Sequence, residues 1–391
     1  MSLVSSKHIE EFEVGEVLYH GAIQVTPYRN KEYIKKFNQD YWLGANFDCA
    51  QSLGYVDPDK DFKKERFNID NPGLISQGYL FNVGFGLSVH DISFNAIANL
   101  SYKNLRYGIP AYEGDILFAK SEVLGIEVKK DGASNGSVQV RTTITNQRDQ
   151  LVLEYVRQVL VRASKGVTLN KQSSLQEQPE RINLTEAMMP LEYKGLAKFT
   201  NHPDQENDST VNYFEQFEAD QTYPATEGIE QTAKSISLVD FSWLQISTLN
   251  DASVHHTQKS NFIGYGGAIK ATVEGQISRL IPHAYFLGMN TGSHDAPTYP
   301  SDIVQSMFNS TNEDDEKIMG SFKVLEKNVV SNREDFGILT IELCGDKIVT
   351  EAGLSAYEKA GFKGITKIEE NKIRVLTMEI VVAVPTQKGF K

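Results

Sequence analysis

Gly266-Gly267-Ala268-Ile269-Lys270-Ala271-Thr272-Val273-Glu274-Gly275-Gln276-Ile277-Ser278-Arg279-Leu280-Ile281 holds the reading that decides the fold. Ile269, Val273, Ile277 and Ile281 repeat every four residues, which gives a helix one apolar face. Lys270, Glu274 and Arg279 fall elsewhere on its surface. Beyond the helix the period changes. Leu376, Met378, Ile380, Val382 and Val384 alternate with their neighbours, as in a half-buried antiparallel strand. The first half of the chain has counterparts of both patterns. Residues 74–89 carry Phe81, Val83, Phe85 and Leu87 among glycines and are apolar nearly all round, which predicts a buried helix despite the cost of those glycines. Val138, Val140, Thr142 and Ile144 alternate with Gln139, Arg141, Thr143 and Thr145.

The repetition extends to motifs. Glu10-Glu11-Phe12-Glu13-Val14-Gly15-Glu16 resembles Glu215-Gln216-Phe217-Glu218-Ala219-Asp220-Gln221. Further on, Pro110-Ala111-Tyr112-Glu113-Gly114-Asp115-Ile116 resembles Pro297-Thr298-Tyr299-Pro300-Ser301-Asp302-Ile303, in the same order. Two weak similarities in register predict an internal duplication. One long helix wrapped by an antiparallel sheet, twice over, is an α+β double hotdog. The predicted division is a first hotdog at residues 1–164, a polar linker at 165–186 and a second hotdog at 187–391. Residues 187–212 have no counterpart, and the acidic run Asn312-Glu313-Asp314-Asp315-Glu316 reads as a solvated hairpin loop.

Composition narrows the function. The chain has 391 residues and a formal charge of −12, which argues against a nucleic-acid partner. Cys49 and Cys344 show neither metal spacing nor a disulfide framework, so a reducing, cytoplasmic setting is expected. No signal peptide and no membrane-spanning run is read. Neither a Walker nor a dinucleotide fingerprint is present, so no cofactor is expected.

The chemistry centres on Leu249-Asn250-Asp251-Ala252-Ser253-Val254-His255-His256. Asp251 and His256 could hold one water between them, as addition of water to a double bond requires. A helical pattern precedes the pair, from Asp240 as N-cap through Phe241, Leu244 and Leu249. The glycine pair Gly266-Gly267 opens the helix that follows, and brings its backbone N–H groups near. The alternative reading is a capping aspartate, a buried histidine and simple helix–sheet packing at the glycines.

The residues then point to a family. The chain resembles MaoC-like hydratases and dehydratases of acyl-CoA thioesters, and within them the branch acting on mesaconyl-CoA and β-methylmalyl-CoA. The likeness lies in the stretch Asp91-Ile92-Ser93-Phe94-Asn95-Ala96-Ile97-Ala98-Asn99-Leu100-Ser101-Tyr102 and in Pro110 to Asp115. It continues through Asn146-Gln147-Arg148, Glu154-Tyr155-Val156-Arg157, Gly264-Tyr265-Gly266-Gly267 and Asn290-Thr291-Gly292-Ser293-His294. The resemblance implies a hydro-lyase with Asp251 and His256 as the catalytic pair. Gly267, with Gly266 beside it, would bind the thioester oxygen. Val254 stands where the broader family carries proline, and Asp251 where the mesaconyl branch carries an amide, which leaves the acyl group open.

In the first half the acid falls at Gln39 or Asp40 and the imidazole position at Gly44 or Ala45, so that copy lacks its histidine. It is expected to shape the acyl-CoA site. The implied partner is an acyl-CoA thioester, with neither nucleic acid nor membrane; a homodimer or larger assembly is expected, although the fused pair already supplies the dimer-like unit of single hotdogs. His255 reads as a bystander and His294 as structural. Arg106, Arg157, Lys270 and Arg279 are placed to meet CoA phosphates, but each reads as an ordinary surface charge. The rival reading is a hotdog thioesterase, with Glu274 activating water, or a non-catalytic acyl-thioester binder.

Overall fold

The computed structural model of the protein describes residues 7–199, 212–225, 231–232, 265–296, 317–349, 351, 354–355, 366–369 and 371–391. The first half opens with β1 (Val17–Gln24), α1 (Pro27–Phe37), α2 (Trp42–Ala45), α3 (Phe47–Ser52) and α4 (Lys60–Phe67). The central helix α5 (Gln77–Leu87) follows, and then β2 (Ala96–Tyr107), β3 (Ile116–Val128), β4 (Asn135–Thr145), β5 (Leu151–Arg162) and β6 (Gln172–Ser173). The second half has β7 (Thr222–Pro224), β8 (Gln231–Thr232), the central helix α6 (Gly266–Ile277), β9 (Tyr285–Ser293) and β10 (Lys317–Val329). It closes with β11 (Phe336–Ile348), β12 (Lys367–Glu369), β13 (Lys372–Pro385) and α7 (Gln387–Phe390).

The strands join in the order β1-β3-β4-β5-β2-β9-β13-β11-β10-β7, which reads alike from either end. The junction is the antiparallel pair β2–β9, with Tyr102 opposite Gly292 and Arg106 opposite Gly288. The sheet wraps α5 on one side of the junction and α6 on the other, and one apolar core runs through both.

The two matching sequence stretches have the same backbone. Each forms a 3₁₀ turn whose first N–H is taken by the side chain three residues on: His8 N by Glu11 at 2.6 Å, Tyr213 N by Gln216 at 2.6 Å. Each then passes a left-handed residue, Gly15 at φ 88° or Asp220 at φ 65°. Each returns to a valine of the long strand, Val123 or Val324, through paired backbone hydrogen bonds. Val123 and Val324 are therefore equivalent positions of a duplicated unit.

Residues 165–186 run along both halves. β6 pairs with β3, Gln176 exchanges hydrogen bonds with the Gln139 amide, and Ile182 N–H donates to Asn290 Oδ1 at 2.8 Å. Further on, Tyr193 is fully buried and its hydroxyl donates to His283 O at 2.7 Å. The Asp240–Leu249 helical pattern, the Pro297–Ile303 repeat and the acidic run 312–316 lie outside the described residues.

Two expectations need correction. Lys270 and Glu274 are not on a surface face of α6, because the helix has no such face. They are 2% and 3% exposed, and their ammonium and carboxylate meet at 2.5 Å. α6 is packed against α1, α5, β10 and β11 at once, so its polar residues find partners inside the molecule. Arg157 is likewise no surface charge. It lies on β5 at 1% exposure.

Candidate active site

The segment after α1 shows how the first hotdog lends a loop to the second. Asn38 ends α1 in the left-handed conformation, and the chain then lies across α6. Gln39 Nε2 donates to Ala271 O at 2.7 Å, and Tyr41 Oη donates to Glu274 O at 2.6 Å. The approach is so close that a Cβ on Gly275 would stand 1.7 Å from Phe37 O, so only glycine fits there. Gln39 is buried and Asp40 exposed, so the amide is the residue that faces inward.

Around the first turn of α5, Tyr33 Oη, Glu274 Oε2 and Gln39 Oε1 converge. They lie 2.7, 3.1 and 3.3 Å from the point where a Cβ of Gly78 would be. Beside them is a chamber of about 40 Å³ lined by residues including Gln39, Tyr41, Gly44, Ser76 and Gln77. Gln77 bonds both ways to the β9 backbone, Nε2 to Phe286 O at 2.6 Å and Oε1 from Phe286 N at 2.9 Å. This place gathers an amide and a phenol of the first half and a carboxylate of the second, with Gly44 and Ala45 of α2 where an imidazole would be needed.

The corresponding place in the second half is the start of α6. Tyr265 is its N-cap, and its side chain makes no capping hydrogen bond to the first-turn N–H groups. The two glycines there are closely packed. A Cβ on Gly266 would lie 2.3 Å from His294 Nε2, and one on Gly267 would lie 2.3 Å from the Tyr265 ring and 2.4 Å from Asn82 Oδ1. Packing against their own neighbours therefore accounts for both glycines by itself. His294 follows β9 and stands edge-on to Tyr102 at 5.8 Å; burial pushes its pKa down to about 4. Asp251, His255 and His256 lie outside the described residues.

Periodicity missed a polar row on the inner face of the first hotdog. Asp91 Oδ2 meets His20 Nδ1 at 2.6 Å, His20 Nε2 meets Ser121 Oγ at 2.8 Å, and Ser121 Oγ meets Thr142 Oγ1 at 2.8 Å. Ser121 and Thr142 are fully buried, so this relay satisfies polar groups within the core. Arg157 extends the row. One sign of it was in the sequence: Arg157 occupies the same alternation as Leu153, Tyr155, Val159 and Val161, all buried.

Asp57, Asp59 and Asp115 lie close enough together to suggest a metal site. The Lys63 ammonium already fills that place, 2.6 Å from both Asp57 and Asp115, and Arg148 neutralises Asp59 at 2.9 Å. The cluster carries its own cations.

No family model matches the chain. It is 26% identical over 350 residues to the β-methylmalyl-CoA dehydratase of Chloroflexus aurantiacus, covering 86% of this chain and 87% of the relative. It is 26% identical over 226 residues to the mesaconyl-CoA hydratase of Cereibacter sphaeroides, covering 58% of this chain and 64% of that one. Among solved structures it resembles a MaoC domain protein dehydratase from Chloroflexus aurantiacus (TM-score 0.75, 21% identity, 99% of each chain). It also resembles a conserved hypothetical protein of Mycobacterium tuberculosis described as a double hotdog (TM-score 0.68, 17% identity, 97% of this chain and 98% of that one). The fold is thus an α+β double hotdog. The chain is thus similar to two enzymes named as a dehydratase and a hydratase, both hydro-lyases. No described helix is long and apolar enough to cross a membrane.

Proposed function

We propose that the protein catalyses reversible addition of water to a short 2-enoyl-CoA with a branched or dicarboxylic acyl group, of the mesaconyl-CoA/β-methylmalyl-CoA kind. The observation that carries this is the likeness to the β-methylmalyl-CoA dehydratase over 86% of the chain. In the proposed reaction Asp251 and His256 share the water. One removes a proton as hydroxide adds at the β-carbon, and the pair returns a proton to the α-carbon. Histidine titrates near neutrality and suits both directions. The charge that develops on the thioester oxygen is met by the backbone N–H groups at the start of α6, at Gly266 and Gly267, which the Tyr265 side chain does not cap. Residues 187–391 are the proposed catalytic hotdog, and residues 1–164 shape the acyl-CoA site. No cofactor takes part in this scheme.

The test is incubation with crotonyl-CoA and mesaconyl-CoA. Loss of the enoyl-thioester absorbance without free thiol is the expected result. Thiol release would favour a second reading, hydrolysis by Glu274, for which Glu274 Oε2 is suggestive: it is buried, has no hydrogen-bond partner among the described residues and points at the first turn of α5. Neither signal would leave a non-catalytic acyl-thioester binder. A homodimer is also proposed; light scattering should give about twice the 43.8 kDa of one chain, and a mass near one chain would exclude it.

A further inference from the structure

Arg157 is the bulkiest of the fully buried side chains among the described residues. Its guanidinium donates from Nη1 to Ser93 Oγ at 2.9 Å and from Nη2 to Ser88 Oγ at 2.8 Å, and lies 4.4 Å above the Phe85 ring. Nε has no partner. Around it stand Tyr102, Tyr155 and Tyr265. Guanidinium stays charged in proteins, and a buried charge without a counter-ion is costly.

The buried Lys63 and Lys270 do not share this condition. Lys63 lies against Asp57 and Asp115, and Lys270 against Glu274. Arg157 meets no carboxylate among the described residues. Only two of its five N–H groups are used by the two serines, so it retains donors for an anion. Duplication shows that the fold does not need the charge. Val123 pairs with Val140 and Val140 with Arg157; the equivalent Val324 pairs with Ile341 and Ile341 with Ile380. The second hotdog fills the arginine's position with isoleucine.

Position supplies the last observation. Phe85, on which Arg157 rests, packs on Tyr265 at 5.2 Å between ring centres. Tyr265 caps the α6 turn that holds Gly266 and Gly267. The Phe85 and Tyr265 rings connect the cation to the turn whose N–H groups are assigned to the thioester. In a four- or five-carbon diacyl group the free carboxylate lies only two or three C–C bonds from the thioester carbon, about 4 Å.

We infer that Arg157 recognises the free carboxylate of a dicarboxylic acyl group, so the substrate is a short enoyl-CoA diacid rather than an uncharged branched one. The inference rests on the proposed hydratase reading for its site and narrows that reading's substrate. Serine hydroxyls orient the guanidinium, and the carboxylate completes its hydrogen bonding and its charge.

The test measures binding, so that it does not depend on turnover. Calorimetry would compare methylsuccinyl-CoA, its terminal amide and 2-methylbutyryl-CoA, none of which can be hydrated. The wild-type protein should bind the acid tighter than either neutral analogue. In Arg157→Met that ratio should fall by roughly 10²-fold, the cost of removing one partner of a buried charge pair, and Arg157→Lys should keep part of it. Circular dichroism would report whether each variant folds; the wild-type comparison of acid with amide stands even if Arg157→Met does not. Equal binding of acid and amide by wild type, or a preference intact in Arg157→Met, would overturn the inference. A preference without any enoyl-CoA hydration would instead sink the hydratase reading and leave the carboxylate site. Hydration of crotonyl-CoA with no preference would do the reverse.

Discussion

Asp251 and His256 are each asked by the proposed reaction to hold and pass one proton. Asp251→Asn keeps the shape and removes the base; His256→Ala removes the imidazole. Each should lower turnover with a short enoyl-CoA by roughly 10²–10⁴-fold, the range for a positioned acid–base group. Asp40 is exposed on the other copy, and Asp40→Ala should leave turnover near wild type. Steady-state kinetics on the three variants checks the assignment. If Asp40→Ala abolished turnover while the other two left it intact, the site would be in the wrong copy.

Two histidines tie stability to pH. His283 is packed between Trp42 at 4.3 Å and Phe390 at 5.2 Å, and burial pushes its pKa from 6.5 down to about 3. His294 is pushed down to about 4, also by burial. The unfolded chain would take up these protons below pH 6.5, whereas the folded one resists them until about pH 4 or 3. Their contribution is therefore complete above pH 6.5 and is lost as the pH falls from 6.5 towards 4. Each group removes up to about 1.4 kcal/mol per pH unit. Urea unfolding at pH 7.5 and pH 5.5 should show the loss, and substituting His283 by Phe should flatten it.

At the scale of the element, α6 joins an expectation that held to one that did not. The four-residue spacing of its isoleucines and valine marked a helix, and the helix spans Gly266–Ile277, with Ile281 buried just beyond it. The same spacing put Lys270 and Glu274 outside. Periodicity assigns polar residues to solvent because it considers one helix at a time. Here the opposite face is taken by α1 and α5 from the other half, and the two charges meet each other instead. Arg157 was misread for another reason: it was taken for a surface charge by its residue type, although it shares the alternation of its buried neighbours. The alternating strands and the duplication were legible because they depend on local spacing alone.

A buried pair of this kind predicts a particular pattern of loss. Lys270→Met leaves Glu274 as an uncompensated buried carboxylate and should cost about 3–5 kcal/mol. Lys270→Met with Glu274→Leu removes both charges and should recover most of that. Denaturant melts of the single and double variants give the coupling. Additive losses would mean that the two side chains do not act as a pair.

The whole molecule is a pair of hotdogs joined through β2 and β9, with one core running through both. A fragment of residues 1–164 keeps α5 but loses α6, and leaves the β2 edge from Tyr102 to Arg106 without its partner. Such an edge invites pairing with another chain. The fragment should be found as a dimer or aggregate. A folded monomer by light scattering and exchange of amide hydrogens would show that each half carries its own stability.

The inner walls of the two hotdogs differ at three neighbouring positions. Ser121, Thr142 and Arg157 occupy them in the first, and Phe322, Leu343 and Ile380 hold the equivalent places in the second. In a dimer of identical chains every mutation is expressed twice, so a cation introduced into one wall must appear in the other. Two copies encoded in a single gene escape that coupling. One wall can acquire a charge while its twin stays greasy, and each step of that divergence is exposed to selection alone.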